Sequence, residues 1–124
     1  MMKVRGVRGA TTVSANTRDA VLEATAGLLD EMIAANGIDP DDVAAIHFTT
    51  SPDLNVEFPS VAARERLGWD YVPLINGHEM GRPGALTRCI RILMLWNTGK
   101  AQREIRHIYL RDAVALRPDI AATK

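Results

Sequence analysis

The spacing of apolar positions changes several times along the chain, and each change marks an element. Between Asn16 and Gly37, Val21, Leu22, Thr25, Leu28, Leu29, Met32 and Ile33 recur at intervals of three and four. That rhythm predicts an amphipathic helix of about five turns. Asn16 or Thr17 offers a side-chain oxygen to its first N–H groups, and Gly37 is the residue type that ends helices. Before this helix, MKVRGVRG alternates Val4 and Val7 with basic residues and glycine, the period of a strand. After it, IDPDD predicts a turn with one helical turn, and VAAIHFTT has the β-branched and aromatic content of a second strand.

Two prolines make SPDLNVEFPS a loop, and VAARERLG predicts a short helix closed by Gly68. WDYVPLIN alternates as a strand, with Pro73 confining it to an edge. GHEMGRPGA is a glycine-rich loop, and LTRCIRILMLWN fits either a strand or a helix. NTGKAQREI is a turn-rich connection, RHIYLRDA a last strand, and VALRPDIAATK an unstructured tail, flexible from about residue 116. The expected fold class is α/β (α+β), one mixed β-sheet of about five strands with two main helices on one face. The opposite face then stays apolar and uncovered, which predicts self-association.

At 124 residues the chain suits a single domain spanning residues 1–124, burying roughly two-thirds of its unfolded surface. Fifteen basic residues balance fifteen acidic ones, so the basic footprint of a nucleic-acid or anionic-membrane binder is missing. Partners are expected to be small molecules or proteins. Twelve of the fifteen basic residues are arginines, a bias that suits bidentate pairing with carboxylates as well as a plain compositional origin. One cysteine, Cys89, allows neither an internal disulfide nor a thiolate metal cluster. No signal-like apolar segment follows MMKVRGVRGATT and no run has membrane-spanning length, so the cytoplasm is the expected location.

The usual chemistry motifs are missing. There is no G-x-G-x-x-G or phosphate-binding loop, HEMGR lacks the second histidine of a zinc-protease helix, and no serine sits in a nucleophile elbow. His47, His78 and His107 are scattered, and Cys89 suits a core thiol. What stands out is charge and polarity where the pattern wants something else: Arg8 at a strand end, Glu79 in a glycine-rich loop, Arg91 inside CIRILMLW, Tyr109 in HIYL and Arg117 before Pro118. If the CIRILMLW run is a strand, Cys89, Arg91, Leu93 and Leu95 share one face and Ile90, Ile92 and Met94 the other. Arg91 then needs an anion, either Glu79 as an internal partner or a ligand carboxylate.

These segments carry a resemblance. RGVRGATT, SPDLNVEFP, GWDYVPLINGHEM, CIRIL and RHIYLRDAVALRPD are similar, in order from Val4 to about Lys124, to the monofunctional chorismate mutases of the AroH class. The resemblance implies a homotrimer with a pseudo-α/β-barrel and clefts between subunits. It implies conversion of chorismate to prephenate on the route to phenylalanine and tyrosine, a rearrangement needing no proton transfer, nucleophile, metal or other cofactor. Carried over by position, Arg91 would meet the ether oxygen and a carboxylate, Arg8 and Tyr109 the enolpyruvyl carboxylate, and Glu79 the ring hydroxyl. Phe58 would pack beside the substrate, Ile75 and Asn76 would contribute backbone groups, and Arg64, Leu116 and Arg117 would line or close the cleft. Relatives can carry a lysine after the Phe-Pro pair and a cysteine before the Glu loop; here Ser60, Val61 and Asn76 stand at those places. A trimeric imine deaminase of the RidA type and a non-catalytic module for a small carboxylate are the competing readings.

Overall fold

The structure is a computed structural model and describes residues 1–118. One five-stranded sheet runs in the order β3-β2-β4-β1-β5, built from β1 (Lys3–Thr12), β2 (Val43–Thr50), β3 (Leu74–His78), β4 (Cys89–Thr98) and β5 (Ile108–Tyr109). β4 is antiparallel to both β1 and β2, whereas β5 runs parallel to β1 and β3 parallel to β2. The sheet is therefore mixed, as the sequence predicts. CIRILMLW resolves as the long strand β4 because it lies between two others and each face has its own residues.

α1 (Arg18–Asn36) packs on one face. The Thr17 side chain accepts from the Ala20 N–H, and Gly37, at φ 70°, donates its N–H to the Ile33 carbonyl. Leu22, Leu28, Leu29 and Met32 are fully buried on its inner side, each stabilising by about 1.5–3 kcal/mol through loss of apolar surface to water. Leu28, Leu29 and Met32 join one cluster with Val7, Phe48, Ile92, Met94 and Trp96 from the sheet. The second helix, α2 (Val61–Glu65), has five residues and rests on Leu22 of α1 through Val61 and Ala62. Gly9 on β1 lets α1 approach, because a Cβ there would stand 2.5 Å from Met32 Sδ.

Three sequence expectations are corrected. WDYVPLIN becomes a strand only from Leu74; Trp69 turns into the core while Tyr71 is fully exposed, so its apparent alternation does not describe one surface. Pro73 lies just outside the strand, yet β3 is an edge strand as its proline suggests. RHIYLRDA contributes only Ile108–Tyr109 to the sheet, since Arg111 adopts φ 52° and opens a 3-10 helix at Arg111–Leu116. That helix takes up part of the expected unstructured tail, and the end of that tail, residues 119–124, lies outside the described residues. Shorter 3-10 helices at Pro40–Asp42 and Gln102–Glu104 complete the connections.

Candidate active site

Strand alternation sends Ile90, Ile92 and Met94 of β4 toward α1 and leaves Arg91, Leu93 and Leu95 on the other face. The pairing then sets a row across the whole sheet. Gly77 of β3 stands beside Thr49 of β2, Thr49 beside Arg91 of β4, Arg91 beside Ala10 of β1, and Ala10 beside Tyr109 of β5. The adjoining row on the same face contains Ile75, His47, Leu93 and Arg8. Ala10 separates Arg91 from Tyr109 with a methyl group, so neither long side chain is crowded by a large neighbour between them. Tyr109, Ala113, Leu86 and Leu116 cluster over Ala10, which brings Leu116 to the tyrosine end of the row.

Glu79 enters from the loop after β3. Its N–H donates to the Thr50 carbonyl at 2.7 Å, and its Oε1 accepts from Thr49 Oγ1 at 2.8 Å. The same Oε1 lies 3.7 Å from Arg91 Nε, close enough for charge attraction but too long for a good hydrogen bond. Glu79 is thus Arg91's internal counter-charge and leaves the guanidinium donors largely available. Arg8 has no carboxylate partner among the described residues, and its backbone N–H donates to His107 Nδ1 at 2.9 Å. In the neutral ring the proton then resides on Nε2. Burial, with the charges of Arg8 and Arg117, holds His107 below the ordinary histidine range. Arg117 is exposed beyond the 3-10 helix, and its charge reaches His107.

A cavity of about 310 Å³ opens beside Arg91, with Glu79, Asp53, Cys89, Met80 and Leu86 in its wall. Burial pushes the Cys89 thiol up despite its hydrogen bond and attraction to Arg91, so it is not a ready thiolate nucleophile. Desolvation pushes the Asp53 carboxyl up, but hydrogen bonds from Ser51 and the Arg88 backbone outweigh it and leave it below the usual range. Arg88 sits at φ 46° with its N–H held by that carboxylate at 2.8 Å, which fixes where β4 begins.

The remaining predicted residues gather elsewhere. Phe58 is 63% exposed and borders a separate cavity of about 340 Å³ with Asn76, Leu54 and His78. Asn76 turns to the helix side, donating to Ser60 Oγ at 2.8 Å and accepting from the Ser60 N–H at 3.1 Å. Two of the departures noted in the sequence are therefore one reciprocal contact. Arg64 is exposed on α2, and Ile75 is exposed on the open face of the edge strand. A depression of about 1060 Å³ between α1 and residues 100–108 contains none of the predicted residues. Sequence reasoning missed Thr49, since a threonine in a strand carries no signal until the register places it beside Arg91 and Glu79.

Known proteins show the family of the chain. Residues 4–120 match the chorismate mutase type I family. The chain belongs to that family. It is 44% identical to the chorismate mutase AroH of Bacillus subtilis over 123 residues, covering 99% of this chain and 97% of that one. It is 48% identical to the chorismate mutase AroH of Thermus thermophilus over 122 residues, covering 98% and 99%. Its fold matches a solved chorismate mutase from Clostridium thermocellum with a TM-score of 0.86 at 44% identity, over 89% of this chain and 97% of that one. Among the described residues no helix is long and apolar enough to cross a membrane.

Proposed function

We propose that this chorismate mutase converts chorismate to prephenate on the open face of the sheet, with Arg91 as the main catalytic group. The supporting observation is the row that sets Arg91 between Thr49 and Ala10, with Glu79 held on Thr49, Tyr109 at the end of the row and Arg8 in the next row. Chorismate carries two carboxylates, an ether oxygen and a ring hydroxyl. In the rearrangement the ether C–O bond breaks as a C–C bond forms between the enolpyruvyl arm and the ring, with no external proton or electron. The protein has two tasks: holding the arm over the ring, and placing positive charge where the ether oxygen gains electron density.

Arg8 and Tyr109 hold the enolpyruvyl carboxylate, Arg91 reaches the ether oxygen and a carboxylate, and Glu79 accepts from the ring hydroxyl while facing the ring's partial positive charge. Leu116 and Arg117 close over the tyrosine end. Phe58, Arg64 and the Ile75–Asn76 segment do not line the Arg91 cavity of their own chain, so in this reading a neighbouring copy supplies them. Val4, Ile75, Leu93 and Leu95 leave apolar surface on the open face, which suits burial against other copies. The assembly proposed is a homotrimer with clefts between subunits, working in the cytoplasm, where a lone thiol such as Cys89 stays reduced.

Spectrophotometric loss of chorismate, with prephenate identified as product, is the direct test. Turnover at saturating substrate should be nearly flat from about pH 6 to 9, because no group has to exchange a proton. A bell-shaped profile with a sizeable solvent isotope effect would point to acid–base chemistry of the imine-deaminase kind. Binding without turnover would leave a carboxylate-binding module.

A further inference from the structure

We infer that Thr49 is a positioning residue of the site: its hydroxyl fixes the Glu79 carboxylate so that one oxygen is occupied and the other is left for the substrate. The inference rests on the reading that Glu79 and Arg91 act on chorismate. Thr49 Oγ1 donates to Glu79 Oε1 at 2.8 Å, and that same oxygen faces Arg91 Nε at 3.7 Å. Both interactions fall on one oxygen. Oε2 has no hydrogen bond among the described residues, so it is the acceptor available to a ring hydroxyl.

The carboxylate needs such a hold. Glu79 follows the last residue of an edge strand, its side chain is 38% exposed, and it faces a guanidinium with a fork of donors. Unrestrained, a glutamate in that position rotates into a two-pronged pair with the arginine, the geometry that suits both groups best. That pair would occupy both carboxylate oxygens and turn Arg91 away from an incoming anion. Thr49 prevents it from a rigid base, because a β-branched side chain inside a strand has little freedom about χ1. β2 also holds the Glu79 backbone through Thr50, so one strand sets both the main chain and the carboxylate. Opposite Arg91 in the register, Thr49 keeps the acceptor and the cation adjacent without a tight bond between them.

The test uses the full chain with Thr49→Val, which removes the hydroxyl and keeps the shape, together with Thr49→Ser, Thr49→Ala, Glu79→Gln and the double variant Thr49→Val/Glu79→Gln. Turnover and KM for chorismate are measured alongside the melting temperature. Thr49→Val should lower kcat about tenfold, the size of one hydrogen bond to a charged group, with a smaller change in KM. Thr49→Ser should recover activity to within about threefold of the parent, since it restores the donor. In the Glu79→Gln background the same Val substitution should change kcat less than about twofold, because the group it positions has lost its charge. Equal losses in both backgrounds, or a kcat for Thr49→Val and Thr49→Ala matching the parent, would overturn the role of Thr49. Full turnover in Glu79→Gln alone would instead remove Glu79 from the chemistry, and Thr49 with it.

Discussion

Arg91 is a permanent positive charge in the wall of a cavity, matched in sign by Glu79 at 3.7 Å yet not tightly bonded to it. Replacing its guanidinium with the neutral urea of citrulline keeps the shape and removes the charge. Turnover should fall by about a hundredfold to a thousandfold, the usual effect of losing a well-placed electrostatic contact in the transition state. Substrate affinity should change modestly and the melting temperature little; a large loss of melting temperature with near-normal turnover would make Arg91 a structural group. His107 makes a second prediction at this scale. Burial and the positive charges of Arg8 and Arg117 lower its pKa in the folded protein, so the unfolded chain binds the proton more readily. Stability is then greatest above the unfolded value of about 6.5 and declines as pH falls below it. Thermal melts between about pH 7 and 5 should show this decline, and His107→Asn should flatten it; an unchanged slope would contradict the assignment. Arg91 was legible in the sequence because it interrupts an apolar run. His107 was not, since its acceptor role depends on the parallel pairing of β5 with β1, which two residues of strand do not reveal.

At the scale of elements, α1 was legible because it holds one period over many residues, and β2 from its β-branched and aromatic content, whereas CIRILMLW fits strand and helix alike until its place between β1 and β2 decides it. The short helix in VAARERLG and the helical turn in IDPDD were legible too, but the extents of β3 and β5 were not. The alternation of Trp69, Tyr71 and Pro73 resembles a strand but results from a turn that buries Trp69 and frees Tyr71. Arg111 at φ 52° ends β5 where its composition would continue it. The fit of α1 on β1 gives the element-scale prediction. Gly9 leaves no room for a methyl group beneath Met32 and Leu28, both fully buried. Gly9→Ala should therefore destabilise the fold by about 1–3 kcal/mol through overpacking, measured by urea unfolding. A neutral or stabilising result would show that α1 moves freely on the sheet. Because Gly9 lies between Arg8 and Ala10, the shift should also lower turnover in the protein that remains folded.

For the whole molecule, the sequence anticipated an uncovered apolar sheet face, and the structure leaves Ile75, Leu93 and Leu95 exposed there. What a single chain could not convey is which predicted residues meet within it. Arg8, Glu79, Arg91, Tyr109 and Leu116 assemble on one face, while Phe58, Arg64 and Asn76 lie by another cavity or on the helix side. The proposed site is therefore divided between copies, and subunit complementation tests that division most directly. Arg91→Ala removes the cation from one half, and Phe58→Glu sets a carboxylate against the dianionic substrate in the other. Each variant alone should be nearly inactive. Unfolded together in equal amounts and refolded, they should recover about a quarter of the parent turnover, the random share of clefts with both native halves in a cyclic assembly. Recovery no greater than the sum of the separate variants would contradict the account and place the complete site within one chain.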